Sequence, residues 1–165
     1  MVEVDLLTIE HYEQLLSPLE WELERLTERQ APIELALLPR SINSVGRILG
    51  MLMLYEIEDI GRFPRVQDFV SYCRLVKPEK QSNGKSYGHS GKKIGNAHLR
   101  RAFGEAVVLM LKRNKPLQAQ LQKLASRYGK GKALAILFHR LGRAVCFMLK
   151  NQLPFDQERF MRKGT

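Results

Sequence analysis

Between Lys77 and Arg101, three serines (Ser82, Ser86 and Ser90) stand among four glycines, with seven Lys or Arg side chains against the single acidic Glu79. A serine hydroxyl among cations is what nucleophilic attack on a phosphodiester requires, with Lys85, Lys92, Lys93, Arg100 and Arg101 neutralising the phosphate charge. The glycines let the backbone come close to such a partner. A serine in a polar, glycine-rich stretch is also an ordinary turn former, so composition leaves all three open.

Other chemistries fail on spacing. Gly84-Lys85-Ser86 has the ending of a phosphate-cradling loop, but the glycine needed five residues earlier is Glu79. His11, His89, His98 and His139 do not pair with one another, or with Cys73 or Cys146, at metal-ligand separation. Asp68, Glu79, Glu105, Asp156 and Glu158 are scattered, without the clustering that a two-metal nuclease needs. No cofactor site is expected within this chain.

The stretch itself has no apolar period and reads as a loop of about twenty residues, a length that usually serves function. Helices must position it. Upstream, Pro64 opens a helix with Val66, Phe69, Val70 and Cys73 on one face, ending near Val76 ahead of Pro78. Downstream, Asn96 is an N-cap for a helix burying Leu99, Ala102, Phe103, Ala106, Val107, Met110 and Leu111. Arg100 and Arg101 fall in its first turns, where the helix dipole reinforces anion binding.

Pro116 opens another helix, carrying Leu117, Leu121, Leu124 and Tyr128 and closed by Gly129. After a basic connector, Gly129-Lys130-Gly131-Lys132, a last long helix from Ala133 to about Lys150 buries Leu134, Leu137, Leu141, Val145 and Met148 and shows His139, Arg140 and Arg143. Pro154 ends it, and the tail is expected to fray.

Toward the N-terminus an apolar helix ends near Ile57. Before it, Ile42-x-x-Val45-Gly46 has the form of a helix-hairpin-helix turn, with Asn43-Ser44 in place of the usual Pro-Gly; a merely structural turn is the other reading. Ile9, Tyr12, Leu16, Leu19, Leu23 and Leu26 alternate in steps of three and four beneath an acidic outer face. They make either a short self-associating coiled coil or an amphipathic helix lying on its own domain, kinked or restarted at Pro18. No segment demands a strand. The expected fold is all-α: a coiled-coil arm over residues 1–35, a helical lobe over 36–155 and a tail over 156–165.

Charge divides the chain. Residues 1–61 carry twelve acidic and four basic side chains, net −8, whereas 62–165 carry five and twenty-three, net +18. So basic a lobe expects a polyanion, and nucleic acid is the usual one. No apolar run is long enough to span a bilayer, and the acidic N-terminus is unlike a signal peptide, so a cytoplasmic protein that does not bind membranes is expected. Cys73 and Cys146, each within an apolar helical pattern, read as buried free thiols.

The order of several motifs adds a resemblance. Ile57-x-Asp59-Ile60-x-Arg62-Phe63, Phe69-x-Ser71-Tyr72-Cys73-Arg74-Leu75-Val76, Ser82-Asn83-Gly84-Lys85, and Lys93-x-Gly95-Asn96-x-His98-Leu99-Arg100-Arg101-Ala102-Phe103 together resemble the C-terminal transposase domain of the IS one-ten family of bacterial insertion sequences, over about residues 10–155. The resemblance implies a serine nucleophile, carried over by position onto Ser82, in an oligomeric DNA recombinase guided by a bridge RNA. It also implies a coiled-coil connector and an N-terminal RuvC-like domain whose DEDD set holds Mg2+. That domain is not recognisable here, so the expectation is half of a transposase, inactive without its metal-binding half. The alternative is a non-catalytic nucleic-acid-binding module or remnant.

Overall fold

A computed structural model describes residues 2–30, 41–42, 45–76, 79–82, 85–89 and 94–161, with 79–82 and 85–89 described by their backbone. The chain is all-α in its core, with helices α1 (Val2–Gln30), α2 (Arg47–Ile57), α3 (Val66–Tyr72), α4 (Ala97–Arg113), α5 (Lys115–Tyr128), α6 (Lys130–Asn151) and α7 (Gln157–Met161). A 3-10 turn, Ile60–Arg62, joins α2 to α3. A two-stranded hairpin, β1 (Glu79–Ser82) and β2 (Lys85–His89), projects between α3 and α4.

The core forms where the apolar faces of α2, α3, α4 and α6 meet. Met53 and Ile57 from α2, Phe69 and Val70 from α3, Leu99, Phe103 and Val107 from α4, and Leu137, Leu141 and Val145 from α6 are all buried in one cluster. Three aromatic rings run through it: Phe63 meets Phe69 edge-on with centroids 5.3 Å apart, and Phe69 meets Phe103 at 6.2 Å and 85°. The Lys150 ammonium, on the last turn of α6, donates to the carbonyls of Phe63 (2.5 Å) and Pro64 (3.0 Å), tying the far end of α6 to the turn before α3.

Asn96 caps α4 as its sequence suggests, its Oδ1 accepting the Leu99 N–H at 2.9 Å. Asn114 does the same for α5 through Leu117 N–H at 2.9 Å. Four boundaries differ from expectation. First, α3 stops at Tyr72 rather than near Val76, because Arg74 takes a left-handed conformation (φ 54°) and Leu75 N–H turns back to the Val70 carbonyl at 2.9 Å. That is a Schellman-type ending without its usual glycine, and it tucks Leu75 into the core. Second, the expected basic connector shrinks to Gly129, since α6 begins at Lys130. Third, the tail does not fray at Pro154: α7 follows, with Phe160 buried and the Met161 carbonyl accepting from Gln120 Nε2 at 3.0 Å. Fourth, the chain between α3 and α4 contains a hairpin where a structureless loop was expected.

α1 is one helix with Pro18 inside it, roughly 43 Å long at 1.5 Å per residue. Its heptad residues do not pack on the lobe. Ile9, Tyr12, Leu16, Leu19, Leu23 and Leu26 are all exposed, Leu19 by 62% and Ile9 by 54%. Thr27 is buried, its hydroxyl bonding to the Leu23 carbonyl at 2.6 Å and to the Tyr55 hydroxyl at 3.0 Å, and Glu24 pairs with Arg47. An amphipathic helix lying along its own domain is therefore not what forms. Ile42 and Val45 are both buried, with Val45 N–H bonded to the Ile42 carbonyl at 2.8 Å, so this turn anchors α2 to the core. Its intervening Asn43 and Ser44 lie outside the described residues.

Candidate functional site

The segment that carries the three serines leaves and re-enters the lobe at one clasped point. On the outgoing side Tyr72 ends α3 and Arg74 holds its left-handed turn. On the returning side Gly95 and Asn96 lead into α4. Asn96 N–H donates to the Tyr72 carbonyl at 2.6 Å, and Arg74 Nε donates to the Gly95 carbonyl at 2.8 Å. Arg100 Nη1 reaches back to the Arg74 carbonyl at 2.6 Å. The close approach requires glycine at 95: φ is +94°, and a Cβ there would stand 2.5 Å from the Tyr72 carbonyl oxygen. The Asn96 side chain adds a third direction, Nδ2 donating to Glu56 Oε2 on α2 at 2.5 Å and lying 3.5 Å from the Tyr72 hydroxyl.

Beyond the clasp, β1 and β2 pair antiparallel, with Glu79 opposite His89, Gln81 opposite Ser86 and Ser82 opposite Lys85, and an irregularity between Glu79 and Gln81. Ser82 is thus the last residue of β1, directly across from the first residue of β2. The missed signal was Asn83-Gly84, the pair favoured in two-residue hairpin links. The flanking residues are polar on both sides and have no apolar alternation to mark them as strands.

Of the expected cations, Lys85 is therefore in the hairpin beside Ser82, and Arg100 and Arg101 are exposed on the first turns of α4. Lys92 and Lys93, with Ser90, lie outside the described residues. Arg100 and Arg101 line an open groove of about 590 Å3 with Gly104, Val108, Phe138, a third cation, Lys112, and one carboxylate, Glu105. Lys112 was missed in the sequence although it lies three turns along from Arg101 on one helical stripe. The lining combines small and apolar residues with three cations and a single carboxylate, so its charge is net positive.

Acid–base groups elsewhere are structural. Burial pushes the thiol of Cys73 well above the ordinary range and raises that of Cys146, which favours the protonated, unreactive form of each. Burial, with Arg143 and Arg140 beside it, lowers the His139 pKa below its ordinary 6.5. A histidine held neutral in the fold but free to charge when unfolded contributes stability that is present above pH 6.5 and lost as pH falls through its folded pKa. Urea unfolding between pH 7 and 5 should therefore show a loss of stability that is smaller in His139→Gln.

Among the described residues no three His, Cys, Asp or Glu side chains lie together where they could hold a metal ion, so these residues do not fit a metal centre. No described helix is long and apolar enough to cross a membrane.

A comparison with curated proteins gave no match. The family described as Transposase IS116/IS110/IS902 matches residues 37–122, just over half of the chain. That span takes in α2, the clasp at Tyr72 and Asn96, the serine hairpin, and the groove-forming stripe of α4. Both the hairpin and the helices that hold it therefore fall within the matched region, and the chain belongs to the Transposase IS116/IS110/IS902 family.

Proposed function

We propose that this chain is the DNA-binding, serine-bearing part of a transposase, in which Ser82 is the nucleophile. The observation that carries this reading is the placement of Ser82 at the end of β1, opposite Lys85, inside the matched span. The Ser82 hydroxyl attacks phosphorus in a DNA phosphodiester. A serine–phosphate ester forms, the bond to one deoxyribose oxygen breaks, and the serine proton passes to that departing oxygen. The ester retains the phosphodiester linkage, so a sugar hydroxyl of another strand can reverse the attack and complete strand exchange. Lys85, Lys92, Lys93, Arg100 and Arg101 neutralise phosphates around the hairpin, and Lys112 extends their line.

The exposed apolar stripe of α1 supports a further part of this proposal, self-association through a coiled coil between copies. A guide RNA is the proposed second nucleic acid. Mg2+ and the acidic set that binds it are proposed to come from a RuvC-like domain outside these residues.

Trapping the recombinase assembled with donor and target DNA tests the nucleophile. A protein–DNA adduct is expected from the wild type and none from Ser82→Ala. An adduct undiminished in Ser82→Ala overturns the assignment, and DNA binding with no adduct in either protein favours a non-catalytic binding module. Binding itself should weaken steeply with salt, and Arg101→Ala should reduce the slope of log K against log salt by about one. An unchanged slope would remove the groove from the contact surface.

A further inference from the structure

Glu56 stands on α2, outside the segment that carries the serine, yet its carboxylate is directed to the root of that segment. Among the described residues its side chain's hydrogen-bond partner is an amide, Asn96 Nδ2 at 2.5 Å, and not a cation. The orientation of the Asn96 amide is fixed independently, since Leu99 N–H needs an acceptor and finds Oδ1 at 2.9 Å. Asn96 thus joins three elements: α4 through its cap, α2 through Glu56, and the end of α3 through its own N–H on the Tyr72 carbonyl at 2.6 Å. An N-cap requires only the first of these. Asp would cap α4 as well, but its ionised carboxylate could not donate to Glu56.

We propose that Glu56 is a positioning residue for the serine hairpin: through Asn96 it locks the returning end of the segment against Tyr72 and so sets where β1 and β2 stand on the lobe. The functional consequence rests on Ser82 being the nucleophile; the mechanical one does not. Attack on phosphorus tolerates little misplacement of the attacking oxygen, so slack at the hairpin root reduces adduct formation even when binding is intact.

The donor and acceptor can be exchanged. Asn96→Asp keeps a good N-cap, so α4 stays capped, but it cannot donate and sets a carboxylate against Glu56. Adding Glu56→Gln restores one hydrogen bond with its direction reversed, the new amide donating to the new carboxylate, and returns the net charge of the pair to its original value. Hydrogen exchange on the full chain reads the mechanical claim. In Asn96→Asp, amides of residues 79–89 and the amide of residue 96 should exchange about tenfold faster, while those of Leu137–Val145 in α6 are unchanged. In Asn96→Asp with Glu56→Gln, exchange should return to within about twofold of wild type.

Hairpin exchange unaltered in Asn96→Asp would overturn the proposal. So would equal acceleration throughout α6, which marks a general loss of stability, or a failure of the second substitution to rescue. The yield of Ser82-dependent adduct should follow hairpin exchange across the three proteins. If Ser82 is not the nucleophile, adduct yield ceases to depend on Ser82 while the exchange pattern stands, which separates the two failures.

Discussion

Phe103→Ala should lower the free energy of unfolding by about 3–5 kcal/mol, at the top of the range expected for truncations in this core. Phe103 is fully buried on α4, at the end of the ring series that starts at Phe63, and its edge-on partner Phe69 lies 6.2 Å away on α3. The loss combines the transfer energy of a buried ring, the cavity left between α3 and α4, and the aromatic contact itself. A domain of this size has only about 5–15 kcal/mol of stability in total, so the variant should be partly unfolded at physiological temperature. Urea denaturation at 25 °C gives the value directly. A loss below about 1.5 kcal/mol would mean that α3 and α4 do not meet through this ring.

Gly95→Ala comes next, by a different mechanism. Its φ of +94° is strained for any residue with a Cβ, and the Cβ of alanine would meet the Tyr72 carbonyl, a backbone atom that cannot rotate away. That same oxygen accepts the Asn96 N–H, so relieving the clash breaks the clasp. The expected cost is about 1–3 kcal/mol, with Asn96→Ser as a comparison that keeps the cap and leaves the backbone at 95 unstrained. A Gly95→Ala protein as stable as wild type would show that the two ends of the serine segment are not held this closely.

These two residues differ in how far their sequence context announced them. Phe103 belongs to a helix whose apolar residues recur every three or four positions, and such a period fixes both the helix and its buried face. The same holds for Phe69 and for Leu137, Leu141 and Val145. The capping role of Asn96 was legible for a similar reason, since a short polar acceptor precedes an apolar period. Gly95 gave no such signal. The need for glycine there comes from a tertiary contact with Tyr72, 23 residues earlier in the chain.

The ending of α3 was hidden likewise. Arg74 is not a residue that local preference sends to the left-handed region, and its conformation is held by a bond to the Gly95 carbonyl on the far side of the hairpin. The strands of the hairpin were invisible to patterning because Glu79–Ser82 and Lys85–His89 carry no apolar alternation; what shows them is their backbone pairing. Phe160 lay beyond a helix-breaking proline, and only the packing of α7 shows that it belongs to the core. For the arm, sequence left two readings of the heptad stripe, and the exposure of Leu19 and its neighbours removes the one that laid α1 along the lobe.

Within the site, Ser82 was singled out from three serines by resemblance rather than by spacing. The hairpin gives that choice a physical setting, with Ser82 across from Lys85 at the closed end of the ladder. Trypsin can decide among the serines, because cleavage after Lys80 and Lys85 releases Gln81–Lys85, a peptide in which Ser82 is the only hydroxyl-bearing residue. Ser86, Tyr87 and Ser90 leave together in the next fragment, Ser86–Lys92. The decisive measurement is the mass of the nucleotide-bearing peptide after the trapped protein–DNA adduct is digested with nuclease and trypsin. The nucleotide phosphate should be found on Gln81–Lys85. Its appearance on Ser86–Lys92, or on any other peptide of the chain, would contradict Ser82 as the nucleophile.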